Sequence, residues 1–376
     1  GRILAENIKA LLPLPPRDNS AMDGYALGPA GAEPGYVVRD RIAAGEAADG
    51  RVLAAGEAVR IFTGAPVPPG SVAVAMQEDV TRDGDRIQLA VTPEPGHNIR
   101  RGGEDVRQGE DLISAGTRLD PRHVAILAAS GVTQVSVNRP VRIALFSSGL
   151  ELCEPGALLG PAAIHDSNRW MLKSLLAGSS VELRDLDILP DNRDAIAVAL
   201  DDASHDVDLV IGTGGVSGGE EDHIFAALER IGANPQQRKM AVKPGKPMVF
   251  GRSHGALVLG LPGNPVSALV SFLLLARPCI AALSGTVWRL PAPEPAPAVA
   301  EFRWTHRGAR AEYFPARIVG YADDGRPIVD KLGRGGSALL RPLIEADGLA
   351  YVAADRAAVS PGDRLDWHPF STGFAL

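Results

Sequence analysis

From residue 141 onward the chain repeats one pattern, a short apolar run, a glycine- or proline-rich turn, and then an amphipathic stretch. "VRIALF" ends in "SSG", and a helical pattern follows at "SNRWMLKSLLAG". A strand at "VELRDLDIL", a helix at "RDAIAVALDDA", a strand at "VDLVIG" and a helix at "EDHIFAALERIG" continue it. Strands recur at "KMAVKP", "PMVFG" and "ALVLGLP" before the helix "PVSALVSFLLLA". Such alternation predicts a mostly parallel sheet covered by helices on both faces.

The flanking regions read differently. "GRILAENIKA" reads as the tail of a helix leading into a strand, ended by "LLPLPPR". Residues 23–105 carry short apolar runs ("YVVRDRI", "EAVRIF", "VAVAMQEDV", "RIQLAV") punctuated by Gly, Pro and Asp, a β-rich texture. "PRHVAILAAS" predicts a helix with Pro121 at its start. "PAPEPAPA" is a stiff linker, and the runs after it ("FRWTHRG", "YFPARIVGY", "PIVDKLG", "GLAYVAA", "DRLDWH") predict a small all-β domain. A chain of 376 residues exceeds what one hydrophobic core organises, so several domains are expected.

Composition narrows the function. A net charge of −7 disfavours generic nucleic-acid binding, though not a local basic pocket for a small anion. Cys153 and Cys279 alone make no disulfide framework and no cysteine-rich zinc site, which suits a reducing cytoplasm. The best apolar run, residues 266–276, is broken by Ser267 and Ser271 and reads as too short to span a bilayer. The expectation is a cytoplasmic protein that engages neither membrane nor nucleic acid.

Three loops of the α/β segment carry the chemistry: "SSGLEL", "GTGGVSGGEED" and "LPGNP". Each follows a strand, where open α/β sheets bind ligands, and glycine lets backbone N–H groups approach an oxyanion. Each alone also reads as a tight turn. The P-loop signature is missing, "GTGGVSGG" does not match the dinucleotide spacing, and there is no G-x-S-x-G elbow or HExxH. "KMAVKPGKP" clusters Lys239, Lys243 and Lys246, with Lys239 and Lys243 on one face if the segment is a single strand. Such an edge suits phosphate or another oxyanion, and equally a solvated strand guarded against aggregation. Carboxylates recur beside glycine at Asp23, Glu104, Asp105, Glu151 and Asp222. Two or more of these on a phosphate site would hold Mg²⁺; singly, each reads as a turn or cap residue.

Taken in order, "DNSAMDGYA", "RIFTGAPVPPG…AVAMQED", "GHNIRRGGED", "ALFSSGLEL", "DSNRWML", "GTGGVSGGEEDH", "VKPGKP" and "LPGNPVSA" resemble the successive signatures of the molybdopterin molybdenumtransferases, the MoeA and gephyrin E-domain family. The resemblance runs from Gly1 to about Ala282, and the C-terminal domain matches mainly in kind and place. It implies a homodimer of four-domain subunits: 1–17 with 106–140 as an elongated linking and dimerisation domain, 18–105 as a β-rich inserted domain, 141–288 as a molybdopterin-binding-like α/β domain, and 292–376 as a C-terminal β-barrel-like domain. The implied activity is insertion of molybdate into adenylylated molybdopterin with release of AMP, dependent on Mg²⁺.

Carried onto matching positions, the resemblance makes Glu151, Asp191 and Asp222 the metal and catalytic carboxylates. Asp23, Thr63 and Asp105 join the catalytic set from the β-rich domain, implied to come from the other subunit. Lys243, with Lys239 and Lys246, would serve molybdate and phosphate. Pro262 and Pro265 would shape the molybdate loop, and Gly214, Gly215 and Ser217 would line the nucleotide side. Two positions depart from the pattern: "SSG" stands for the usual "STG", and Asn192 follows Asp191 where a second acid is common. Competing readings are an adenylyltransferase on the same fold, a receptor-binding scaffold, and a tungstate-inserting or enzyme-dedicated paralogue. A molybdopterin adenylyltransferase or the apoproteins of molybdoenzymes are the expected partners.

Overall fold

The computed structural model describes residues 1–376 other than 49, 51, 178–179, 217–222, 287–294, 306–309 and 374–376. Two compact units emerge, Leu4–Ser136, and Val137–Leu376 with Gly1–Ile3.

In the first unit a six-stranded sheet is formed by β1 (Gly24–Leu27), β2 (Tyr36–Ile42), β3 (Glu57–Ile61), β4 (Ala73–Met76), β5 (Val80–Asp83) and β6 (Arg86–Leu89), in the order β4-β1-β3-β2-β6-β5. Strand alternation divides β1 between two apolar clusters: Ala26 packs with Val59, Ile61 and Val74, whereas Tyr25 and Leu27 pack with Ala58, Ala75 and Ile87. A helix, α1 (Pro121–Ala129), starts as the sequence predicts, with Pro121 at the first turn and Asp120 as N-cap. The N-terminal stretch does not form the expected helix tail. Ile8–Lys9 is a short strand paired with Asp111–Ile113, and the Leu4 N–H donates to the Thr117 carbonyl, so its backbone bonds lie with a distant segment.

The second unit opens with the α/β domain: β7 (Val141–Ser148), α2 (Asn168–Leu176), β8 (Val181–Leu189), α3 (Arg193–Asp206), β9 (Leu209–Thr213), α4 (His223–Arg230), β10 (Gln236–Lys239), β11 (Val242–Lys243), β12 (Pro247–Ser253), β13 (Ala256–Leu261) and the helix α5 (Pro265–Leu283). The sheet order is β8-β7-β9-β13-β12-β10, in which β8, β7, β9 and β13 run parallel and β12 and β10 add antiparallel pairs at one edge. Both faces are covered. Ile143 and Leu145 of β7 pack with Leu172, Phe272 and Ile280 from α2 and α5. Ala144 and Phe146 point the other way, onto Ile196, Leu200 and Leu228 from α3 and α4. A strand buried on both faces must be apolar throughout, which is why "VRIALF" is an unbroken run.

Two expectations change here. "KMAVKP" is not one strand: Lys239 ends β10 in the α/β sheet, and β11 pairs in parallel with a strand of the next domain. Lys239 and Lys243 therefore do not share a face. The apolar run 266–276 also continues, giving 19 helical residues with mean hydropathy 2.0, long and apolar enough by length and composition to cross a membrane. Most of that stretch, 61%, is buried inside the protein as the core helix of the sheet. Its continuity depends on a π-helical stretch at Phe272–Ala276 just before Pro278. The widened turn accommodates the ring and missing N–H of the proline.

The chain ends in a barrel of β14 (Ala296–Ala300), β15 (Ala311–Tyr321), β16 (Pro327–Lys331), β17 (Gly348–Val352) and β18 (Arg364–Pro369). Five strands close on themselves in the order β15-β16-β14-β18-β17 through the β15–β17 pairing, around Phe314, Val329, Val352 and Trp367. The strand β11, contributed by the α/β domain, extends this sheet beside β15.

Gly24, in the "MDGYA" signature, is required by packing: a Cβ there would stand 1.8 Å from the Ala75 carbonyl oxygen on the neighbouring strand. Since backbone would have to move, Gly24→Ala is expected to destabilise the chain by about 1–3 kcal/mol, seen as an unfolding transition shifted to lower urea concentration. An unshifted transition would refute the close approach.

Candidate active site

Because β7, β9 and β13 run parallel, their carboxyl ends reach one edge together at Ser148, Thr213 and Leu261. The loops leaving them touch. Gly214 has a φ of +94°, and a Cβ on it would lie 2.0 Å from the Ser148 carbonyl oxygen. The Gly214 N–H donates to the Leu261 carbonyl at 3.2 Å. Asn168, at the start of α2, ties the second and third loops: its Nδ2 donates to Thr213 Oγ1 at 3.0 Å and to the Gly263 carbonyl at 2.6 Å. The glycines are therefore needed for close backbone approach, and the same approach leaves room for a ligand above them.

Two carboxylates gather at the first loop. Asp191 stands in the turn between β8 and α3, and accepts a hydrogen bond from the Ser148 hydroxyl. Glu151 folds back over Gly149, so that a Cβ on that glycine would meet the Glu151 carboxylate at 2.8 Å. Asn192, the departure from the family pattern, caps α3 by accepting from the Ala195 N–H at 2.8 Å. Neighbouring acids are otherwise engaged. The buried Arg169 guanidinium binds Asp166, both oxygens of Asp185, Asp187 and Glu154. Burial alone would raise the Asp185 carboxyl, but hydrogen bonds from Lys173, Arg169 and the Asp187 N–H together hold it below its ordinary range.

The lysine segment crosses from the sheet to the barrel. The Met240 N–H closes its loop on the Lys246 carbonyl at 2.8 Å. The Lys243 ammonium donates to Glu312 Oε1 on β15 at 2.5 Å, while the Trp304 indole N–H takes Glu312 Oε2 at 2.7 Å. Lys331 lies 4.6 Å above the Trp304 ring. Burial first, and then the nearby Lys243 charge, lower the Lys331 ammonium from its ordinary range, with Glu312 opposing. A turn with positive φ at Gly333, Gly335 and Gly336 brings Arg334 to the same wall, and its Ser337 carbonyl accepts the Val266 N–H of α5 at 3.0 Å.

Between the strand ends and the barrel lies a cavity of about 1180 Å³, large enough for a nucleotide-sized ligand with an oxyanion beside it. It is lined by Glu151, Asp191, Gly214, Gly215, Lys243, Lys246, Pro262 and Pro265, eight of the positions singled out in the sequence. Lys239 is not in this lining, because β10 ends before the chain turns toward the barrel. Ser217 and Asp222 lie outside the described residues. Asp23, Thr63 and Asp105 belong to the first unit. There the Thr63 N–H and hydroxyl both donate to Asp23 Oδ1 at 2.7 Å. Asp105 is exposed, with its N–H on the Leu14 carbonyl.

Sequence reasoning missed the barrel's wall: Trp304, Arg310, Glu312, Lys331 and Arg334. The available signal was basic residues beside glycines in "HRGAR" and "KLGRGGS". Among the described residues no group of three or more His, Cys, Asp or Glu side chains is arranged to hold a metal ion. Glu151 and Asp191 nevertheless supply hard carboxylate oxygens at the glycine loop, the donor type that suits Mg²⁺, which keeps several of its waters.

Asp23 gives a pH prediction. The backbone N–H of Thr63, then its hydroxyl, lower the Asp23 carboxyl from its ordinary range by stabilising the charged form. The folded-state value is the depressed one, so the stabilisation is fully present above the unfolded value of about 3.9 and is lost as pH falls through the folded value. Thr63→Val removes one of the two donors. In an NMR titration Asp23 should then titrate at higher pH, and the stability gap to the wild type should narrow below about pH 3.9. An unmoved titration would show that the hydroxyl contributes nothing.

Comparisons with known proteins cover nearly the whole chain. Residues 1–131 match the family model described as "MoeA N-terminal region (domain I and II)", residues 144–282 that of a "Probable molybdopterin binding domain", and residues 297–370 that of "MoeA C-terminal region (domain IV)". A molybdopterin molybdenumtransferase of Haemophilus influenzae is 37% identical, covering 98% of this chain and 91% of that protein. Molybdopterin molybdenumtransferase 2 of Mycobacterium tuberculosis is 33% identical over 97% of this chain and 91% of its own length. Among solved structures, a molybdopterin biosynthesis moeA protein from Pyrococcus horikoshii superposes with a TM-score of 0.81 at 28% identity, covering 98% of this chain and 92% of that one.

Proposed function

The chain belongs to the molybdopterin molybdenumtransferase family, and we propose that molybdate meets adenylylated molybdopterin in the cavity between the strand ends and the barrel. It is a transferase of molybdenum cofactor biosynthesis. The observation that supports this place for the reaction is that one cavity holds glycine-rich strand ends, two carboxylates and the lysines of "VKPGKP".

Each part has a task in that reaction. Molybdate is a tetrahedral dianion, so Lys243, Lys246 and loop N–H groups are suited to receive it. The glycine ends of β7 and β9 allow the phosphoanhydride of the pterin substrate to approach the backbone. Joining two dithiolene sulfurs to molybdenum consumes their two protons and releases one molybdate oxygen as water. Glu151 and Asp191 stand at the loop where such protons can be relayed. Water adds to the phosphoanhydride as its P–O bond breaks, which yields AMP and the pterin monophosphate. Mg²⁺ held by Glu151 and Asp191, with Asp222 as the third acid the resemblance implies, would neutralise charge on the phosphates.

Purified protein given adenylylated molybdopterin, molybdate and Mg²⁺ should release AMP only when molybdate is present. AMP release independent of molybdate would overturn the reading. Asp191→Asn keeps an acceptor for the Ser148 hydroxyl but removes the charge, and should lower turnover by about 10²-fold or more with an unchanged melting temperature. Turnover near the wild-type value would remove Asp191 from the reacting groups.

A further inference from the structure

We infer that Glu312 of the barrel is a positioning residue that sets where the Lys243 ammonium stands for the incoming oxyanion. The inference rests on the reading of the cavity given above, and deepens it by assigning a role to the barrel. Lys243 is encoded in the α/β domain, yet its backbone is fixed by the other domain. Val242 and Lys243 lie beside Ala311 and Glu312 in parallel register. The Ala311 N–H donates to the Ala241 carbonyl at 2.9 Å, and Arg310 donates to the Val242 carbonyl at 3.3 Å. Neighbours in register point the same way, so the Lys243 side chain emerges next to Glu312.

The pair is asymmetric. Glu312 is only 3% exposed, while the Lys243 side chain is 47% exposed to the cavity. A buried carboxylate needs partners, and Glu312 has one on each oxygen: the Lys243 ammonium and the Trp304 indole N–H. The indole fixes the carboxylate, and the carboxylate fixes the lysine. A free lysine samples many rotamers, so tethering keeps the charge at one point of the cavity wall. Lys331, over the same indole, senses both Glu312 and Lys243. Glu312 is thus a buried negative charge set between two lysines of the wall.

Glu312→Gln is nearly isosteric and keeps an oxygen for the indole N–H, but it releases the ammonium. Turnover should fall about tenfold, because the productive lysine geometry is less often occupied. KM for molybdate should stay level or fall, because the wall gains one net positive charge. In a Lys243→Ala background the same substitution should cost no further turnover. Without any substrate, acetylation of Lys243 relative to Lys246, read by mass spectrometry, should rise in Glu312→Gln. Glu312→Asp keeps the charge one methylene further back and should show smaller changes in turnover and acetylation in the same directions, with KM level. It carries the test if the glutamine variant does not fold. Turnover and Lys243 acetylation within about twofold of wild type, or an equal turnover loss in the Lys243→Ala background, would overturn the role. If the wild type itself shows no molybdate-dependent AMP release, the reading of the cavity fails instead, and the acetylation ratio alone decides whether Glu312 holds Lys243.

Discussion

The close approach of three strand ends at one edge of the α/β sheet is the constraint from which the cavity follows. Parallel strands in register finish together, so the chain leaves β7, β9 and β13 within reach of one another. A Cβ on Gly214 would collide with the Ser148 carbonyl, and a Cβ on Gly212 would lie 2.4 Å from the Phe146 ring. Glycine at both positions lets β9 lie against β7 while its loop turns over the strand end. Asn168 then ties Thr213 to Gly263. With side chains removed from the crest, backbone and carboxylates are what remain to face a ligand.

Much of this architecture was legible because it is local. A strand buried on both faces has to be apolar at every position, and helices that cover a sheet have to be amphipathic; both patterns fit in a ten-residue window. Glu151 and the glycines could be found because they follow strands, where ligands bind in such sheets, whereas Asp191 came only from the family resemblance. What escaped depends on contacts far along the chain. Nothing within "KMAVKP" shows that Lys239 ends one sheet and Lys243 enters another, since the partner of Lys243 is Glu312. The N-terminal "GRILAENIKA" has an acceptable helical pattern, but Leu4 bonds to Thr117 and Ile8 pairs with Ile113. The α5 helix outran its apolar core because a proline, normally a stop signal, is absorbed by a widened turn.

The barrel was the least legible part of the site for the same reason. Its strands alternate as any small β domain's would, and its closure depends on the pairing of β15 with β17. Trp304, Glu312 and Lys331 become neighbours only when β15 and β16 pair and the Trp304 ring lies against both side chains. A local reading sees a tryptophan, an acid and a lysine spread over 28 positions. The fold makes them one wall.

Opposite charges in one cavity tend to neutralise each other, and the partners in this structure show how that is limited. Asp166, Asp185 and Glu154 are engaged by the buried Arg169. The partner of Asp191 is a hydroxyl, which orients a carboxylate without cancelling it. Lys243 is held by an acid on the barrel side instead of by Asp191 or Glu151 on the strand side. The strand-end acids Glu151 and Asp191 therefore stay apart from Lys243, which is tethered to the barrel instead. A dianion and a phosphoanhydride need both kinds of group in one cavity, and pairing Lys243 with Asp191 or Glu151 would draw that acid away from the phosphates and the reacting protons.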